Sequence, residues 1–329
     1  TCVMSFGDNG GAVGYLVGAE NNGLACMFTM MNDARQAVGL QGLAISERAY
    51  QHALAYAKDR IQGTLRDGSR ISIIKHPDVR RMLLQMKSGT QAMRALAYVA
   101  RAEADRAKNA QDEETKAIHH ARTELYTPIV KGWMTELSQE LTYLAVQVHG
   151  GMGFIEETGV AQHYRDARIL TIYEGTTGIQ ALDLIGRKTL IDKGAALSAL
   201  LEEIKADLDG INSEAMSAIV KAVDSALDDA DVARKWVLDK GAKDPAAAGA
   251  ASVNFMMLLG YLCGGWLMAK SAAIAEGKLG APDADKDFLE SKIVCARFYA
   301  EQLLPRTGAL LKAMQSGGEA VMALSEDQF

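Results

Sequence analysis

Proline is scarce in this chain, with five residues in 329. Helices therefore meet few obligatory breaks, because proline removes a backbone donor and clashes with the preceding turn. β-branched runs are short, aromatic residues make up 6%, and the 31 glycines do most of the punctuating. That balance predicts long helices joined by glycine-bearing loops. Cys2, Cys26, Cys263 and Cys295 are far apart and form no CxxC pair. They read as reduced thiols packed as small apolar groups in a cytoplasmic protein. The six histidines lack metal-ligand spacing too: His119 and His120 diverge on a helix, and His149 and His163 fall in different segments. No metal site is expected.

An excess of basic charge is also missing. The net charge is −6, and it is unevenly spread. Thr1 to Thr189 holds 21 basic and 20 acidic residues, whereas Leu190 to Phe329 holds 14 and 21. An acidic half repels phosphate backbones, so nucleic-acid binding is disfavoured. No signal-peptide pattern stands at the start, and the opening reads as mid-domain sequence without Met, so the chain is expected to be a piece of a longer protein. One uncharged stretch of 24 residues, Ala246 to Ala269, is long enough on paper to cross a bilayer. Its internal glycines, Ser252 and Asn254, and its acidic flanks without a basic cluster, favour the central helix of a soluble bundle.

The hydrophobic content of 49% provides for a sizeable core. Residues 1 to 24 are glycine-rich with alternating runs at Val3 to Phe6 and Val13 to Val17. They read as the tail of a β domain. Helical spacing then predicts helices over about 25–62, from Pro77 to about 110, and over 112–148, the last stopped by Gly150-Gly151. A fourth helix beginning at 175–187 closes the bundle. From about 190 the acidic shift marks an appended helical unit, with helices expected over 194–209, 213–240, 245–276 and 283–316.

Two glycine-bearing loops carry the chemistry. In the first, Val146 to Phe154 (VQVHGGMGF), three glycines lie within four residues. They either stop a helix or let backbone N–H groups approach an anion; no preceding strand makes it a dinucleotide fingerprint. In the second, Ile169 to Gln180 (ILTIYEGTTGIQ), an apolar run delivers Tyr173-Glu174 into a helix start. Desolvation raises such a carboxylate toward a working general base, while the helix N-terminus favours the anion. Residue physics alone leaves Glu174 between general base and ordinary helix-start acid.

The run QVHGGMGFIEETGVAQHYRDARILTIYEGTTGIQALDLIGRK resembles the C-terminal signature of acyl-CoA dehydrogenases, with the spacing from Gln147 to Glu174 in register. MNDARQAVGLQGLAISERAYQHALAYAKDRIQG resembles the first helix of that family's C-terminal domain, including the separation of Arg35 from Arg60. The resemblance covers residues 1 to about 190. It implies an all-α fold: a four-helix-bundle C-terminal domain (25–189), an additional C-terminal helical domain (190–329), and a short β remnant at the N-terminus (1–24). It implies FAD-dependent α,β-dehydrogenation of an acyl-CoA thioester, with Glu174 taking the α-proton and hydride passing to the flavin.

By the same resemblance Gly175, Asn32 and Arg35 are substrate contacts. Arg60 and Gln62 are flavin-phosphate contacts across a subunit boundary, and Gln147, Val148, His149, Gly150 and Gly151 contact the dinucleotide of a neighbour. Thr176, Thr177 and Gly178 lie beside the flavin. A homodimer or homotetramer and an electron-transferring flavoprotein are implied as partners. Three positions depart from the family pattern: Ile61 where an aromatic is usual, and Pro77 and Gly178 where Gln is common. HPDVRRML, MFTMMN and the C-terminal extension resemble a subgroup that includes 3-methylmercaptopropionyl-CoA dehydrogenases. Because the flavin face opposite Glu174 is expected from preceding domains, this piece alone is expected neither to hold FAD tightly nor to turn over. Two rivals share the fold: an alkylation-response flavoprotein that binds DNA, and a non-catalytic assembly module.

Overall fold

The computed structural model describes residues 2–329, and helices dominate it. α1 (Gly23–Asp59), α2 (Pro77–Asn109) and α3 (Glu113–His149) are the three long helices of the bundle. Their ends follow local chemistry. Pro77 occupies the first turn of α2, where its missing N–H is not needed. Asp112 caps α3 by accepting a hydrogen bond from the Thr115 amide at 2.7 Å. Gly150, at φ +59°, lets the chain leave α3 and bonds back to the Gln147 carbonyl.

A single helical turn, α4 (Gly151–Phe154), leads to α5 (Val160–Leu170), which packs on α1 and α3. α6 (Thr177–Ile185) follows and continues through a π-type segment, Gly186–Leu190. The extension contains α7 (Ala195–Asp209), α8 (Ser217–Trp236), α9 (Pro245–Lys278), α10 (Lys286–Gln302) and α11 (Arg306–Gln315).

α9 is the long apolar helix. It has the length and composition of a membrane span, yet two-thirds of its most apolar window is buried. It packs against α2, α3 and α6 of the bundle and against α8, α10 and α11 of the extension. α9 and α3 approach so closely that a Cβ on Gly260 would stand 2.1 Å from Trp133 Cγ, and one on Gly132 2.2 Å from Met256 Sδ. Trp133, Leu137, Phe255 and Trp266 belong to one apolar cluster spanning both parts of the chain. Arg306 clamps the seam, donating from both Nη atoms to Glu140 of α3 at 2.7 Å.

Four expectations need correction. Residues 2–22 form no strand; they are exposed, and no strand among the described residues pairs with them. Alternation alone cannot hold a strand that lacks a hydrogen-bonding neighbour. Strands appear instead after α1, as an antiparallel hairpin of β1 (Ile61–Thr64) and β2 (Arg70–Ser72). α5 was not foreseen, and Ile169-Leu170 ends it rather than forming a separate apolar run. The helix expected over 283–316 breaks at Leu303–Pro305, because Pro305 cannot donate within a continuous helix.

Candidate active site

Between α5 and α6 the backbone turns through two consecutive left-handed residues, Glu174 at φ +57° and Gly175 at φ +92°. Gly175 needs to be glycine twice over: its φ excludes most side chains, and a Cβ would lie 2.5 Å from Gln180 Nε2. Glu174 has no such freedom, and a left-handed non-glycine residue costs about 1–3 kcal/mol.

The surroundings hold the turn in place. Gln180, fully buried on α6, directs its Nε2 at the carbonyls of Glu174 (3.3 Å) and Gly175 (3.4 Å). The Thr177 amide donates to the Thr171 carbonyl at 3.0 Å, and its hydroxyl donates to Glu136 of α3. Tyr173 donates through its hydroxyl to Gln41 of α1. Thr176 caps α6 by accepting from the Ile179 amide at 3.3 Å. The turn is therefore fastened to α1, α3 and α6 at once.

Glu174 is half-buried, and its Oε2 is enclosed without a hydrogen-bond partner. Beneath it lies a dense set of charges. Arg35 is 5% exposed, and its Nη1 stands 3.5 Å from Asp183 Oδ2. Arg187 approaches the other Asp183 oxygen at 2.7 Å, and Phe28 lies under both guanidinium groups. Arg35 Nη2 would be 3.8 Å from a Cβ on Gly175. Lys131 of α3 is 0% exposed, with no hydrogen-bond partner for Nζ. Burial pushes its pKa down to about 8, against the attraction of Glu136 and Glu174. Asn32 is turned to Glu124, donating to it at 2.8 Å, and Lys188 pairs with the same carboxylate.

The remaining sequence-predicted residues sit elsewhere. Arg60 and Gln62 are exposed just past the end of α1, on the order of 37 Å from Arg35 at 1.5 Å of rise per residue. The Gln62 carbonyl meets His76 Nε2 at 2.9 Å. Gln147, Gly150 and Gly151 are exposed at the end of α3. That end lies beside Arg60, because His149 stacks on Tyr56 of α1 at 4.2 Å. Val148 and His149 are buried, with their side chains inside the bundle. A ligand at this loop therefore meets their backbone rather than their side chains. Asn32, Arg35 and Glu174 to Gly178 thus form one group, and Arg60, Gln62 and Gln147 to Gly151 a second; this chain does not bring the two together.

Two features escaped the sequence reading. Lys131 is the sole charge between Leu125 and Thr135, and that isolation was the available signal. The other is a cluster of His52, His149 and His163 from α1, α3 and α5. Ring centroids lie 5.0 Å apart for His52 and His149, and 5.7 Å for His52 and His163. The three residues are 97 and 14 positions apart in sequence, so only the fold assembles them. His149 Nδ1 faces the Ala145 carbonyl at 2.8 Å and must carry the proton there. No group suited to a metal occurs among the described residues.

The turn at Glu174, the capping Thr176 and the buried Arg35 are set on a bundle whose sequence and fold have known relatives. The family model "Acyl-CoA dehydrogenase, C-terminal domain" matches residues 21–190, and "Acetyl-CoA dehydrogenase C-terminal like" matches 200–325. The chain belongs to the acyl-CoA dehydrogenase family.

Among its relatives, the 3-methylmercaptopropionyl-CoA dehydrogenase of Ruegeria pomeroyi is 47% identical, over 99% of this chain and 55% of that protein. The broad-specificity linear acyl-CoA dehydrogenase FadE5 of Mycobacterium tuberculosis is 33% identical, over 100% of this chain and 57% of its own length. The chain thus spans little more than half the length of these relatives. The fold matches Caenorhabditis elegans ACDH-11 in complex with C11-CoA, with a TM-score of 0.71 and 20% identity over 88% of this chain and 46% of that one. It also matches an acyl-CoA dehydrogenase from Bacillus anthracis complexed with FAD, with a TM-score of 0.63 and 20% identity over 93% and 51%.

Proposed function

We propose that the protein carrying this chain oxidises an acyl-CoA thioester to its 2-enoyl-CoA, with Glu174 as the base that removes the α-proton. The observation that carries the reading is the Glu174 Oε2 atom, enclosed without a partner on a turn that three helices hold in a strained conformation. A carboxylate spent on structure would be hydrogen-bonded; one reserved for a substrate proton is left bare. The nearby charge of Arg35 and the backbone amides at the start of α6 favour the enolate-like charge that develops as the proton leaves. Asn32, Arg35 and Gly175 are assigned to the substrate.

The residues fit FAD as the resident cofactor. Arg60, Gln62, Gln147, Gly150 and Gly151 are exposed at one end of the bundle, suited to a dinucleotide reaching in from a neighbouring subunit of a homodimer or homotetramer. Val148 and His149 would add backbone contacts only. Thr176, Thr177 and Gly178 open α6 and are assigned to the loop that would lie beside the flavin, the Thr177 amide being already engaged by the Thr171 carbonyl. Bound there, FAD would supply the acceptor for the β-hydrogen as hydride, with an electron-transferring flavoprotein as the partner that takes the electrons onward. The likeness to the R. pomeroyi relative supports 3-methylmercaptopropionyl-CoA as the first substrate to test. We assign residues 25–189 to the catalytic bundle and 190–329 to the extension.

The test is Glu174→Gln in the flavin-loaded holoenzyme, assayed with thioether, short and long acyl-CoAs. Dehydrogenation should fall by on the order of 10²–10⁴-fold while flavin stays bound. Retained turnover would remove Glu174 from the reaction.

A further inference from the structure

We propose that His76 is the positioning residue that presents Gln62, beside Arg60, to the phosphates of the flavin dinucleotide. The proposal rests on the reading of Arg60 and Gln62 as flavin contacts. The hairpin that carries Gln62 is irregular. β1 pairs Ile61 with Ser72 and Thr64 with Arg70, so Gln62 and Gly63 together face the single residue Ile71. The extra residue makes a bulge, and Gly63, at φ +95°, takes the left-handed conformation that such a bulge uses. A bulge re-aims the side chains of its strand and interrupts regular pairing.

His76 fastens this bulge from outside the hairpin. Its Nε2 lies 2.9 Å from the Gln62 carbonyl oxygen and must carry the proton there, because a carbonyl only accepts. The ring also lies close against Gly63, where a Cβ would stand 2.9 Å from Cε1 and 3.0 Å from Nε2. The ring itself stands on a fixed base. The His76 amide donates to the Ile73 carbonyl at 3.0 Å, and its carbonyl accepts from the Arg80 amide at 3.0 Å. Ile73 is buried, and its amide donates to the Arg60 carbonyl at 2.9 Å. The Arg60 amide donates in turn to the Tyr56 carbonyl at 2.8 Å. Arg60 is thus held by main-chain bonds, whereas an imidazole holds Gln62.

This bond bears on affinity. All four residues of β1 are exposed, and a two-stranded hairpin is marginally stable by itself. An unfastened arm would have to be ordered as the flavin binds, and the cost of that ordering is subtracted from affinity. The His76 bond orders the bulge beforehand. α2 does not call for the ring: Pro77 already sets the helix start, and the His76 side chain makes no capping bond. The imidazole serves the arm, not the helix it precedes.

The experiment titrates FAD into the flavin-stripped, full-length protein that carries this chain. Flavin fluorescence gives the dissociation constant, and thermal melting of the flavin-free form gives stability. His76→Phe keeps a ring against Gly63 and deletes the donor; it should weaken FAD binding by about 2- to 10-fold, the worth of one hydrogen bond. His76→Gln, whose amide can donate to the same carbonyl, should recover most of that loss. In a Gln62→Ala background His76→Phe should change affinity little further, because the side chain it positions is gone. Wild-type FAD affinity in His76→Phe overturns the proposal, whatever the melting temperature does. An equal loss with and without the Gln62 side chain overturns it too. If His76→Phe does not accumulate as folded protein, Gly63→Ala, which drives a Cβ against the ring, takes its place in both backgrounds and the same outcomes decide. Arg60→Ala and Gln62→Ala distinguish these outcomes from failure of the flavin reading. Wild-type FAD affinity in both removes the arm from the flavin site, whereas losses there with His76→Phe unchanged remove only His76.

Discussion

At the Glu174 corner, Arg35, Lys131, Arg187, Glu136 and Asp183 gather about a turn strained at Glu174, and Arg35 Nε, Lys131 Nζ, Glu174 Oε2 and Asp183 Oδ1 are buried without a hydrogen-bond partner. At the far end of α1, His52, His149 and His163 also bury nitrogens without partners, but there the rings stack and no backbone strain accompanies them. Burial lowers the proton affinity of all three imidazoles, helped by their mutual repulsion and by Arg48 beside His52 and His163. At His149 the Ala145 carbonyl, second only to burial, acts the other way, as Asp166 does at His163. The corner gathers side chains of both charge signs, whereas the cluster gathers imidazoles alone. Unsatisfied polar groups therefore do not by themselves mark a reaction centre. Backbone strain and the mixture of opposite charges distinguish the corner from the cluster.

The comparison can be broken at either end. The largest expected effect is at the corner, where Gly175→Ala forces a Cβ into Gln180 and into a disfavoured φ. Activity should fall by at least tenfold, with a stability loss of about 1–3 kcal/mol in denaturant titration. A variant with wild-type turnover would show that the turn is not constrained as described.

The next effect is at the cluster and follows from pH. The folded pKa of each histidine lies below the ordinary value of 6.5. Their contribution to stability is therefore fully present above pH 6.5 and is lost as pH falls through the folded values, because the unfolded chain takes up protons first. Thermal melts from pH 8 to 5 should show Tm falling below 6.5. His149→Phe, which keeps the stack on Tyr56, should flatten that slope. An unchanged slope would move the acid sensitivity elsewhere. The smallest effect is expected from Tyr173→Phe, which deletes one bond to Gln41; a loss of about 0.5–1.5 kcal/mol should appear, with the catalytic rate reduced less than in Gly175→Ala.

Much of the fold was legible because its signals are local. Pro77, Asp112 and Gly150 mark helix ends through their own backbone chemistry, and each does so in the structure. Glu174 could be picked out only with the resemblance, since its neighbours in sequence describe an ordinary helix start. The bare Oε2 and the left-handed φ that separate it from one are products of packing. Lys131 stood alone in an apolar stretch, but sequence could not say which face of α3 meets the turn. The histidine cluster was misread as dispersed, because residues 52, 149 and 163 converge only when α1, α3 and α5 pack together. The alternation at Val3 to Val17 forms no strand among the described residues, consistent with a strand remnant that no other strand answers.

The close contact of α9 with α3 has a consequence for how this protein can change over time. Gly260 seats Trp133 and Gly132 seats Met256, so each of the two matched regions supplies both a notch and a peg to the other. Neither can be exchanged for a homologous piece on its own, because the incoming partner must match at two interlocking points. Recombination between residues 190 and 245 would split that lock, and hybrids crossed there should misfold unless both halves descend from the same parent.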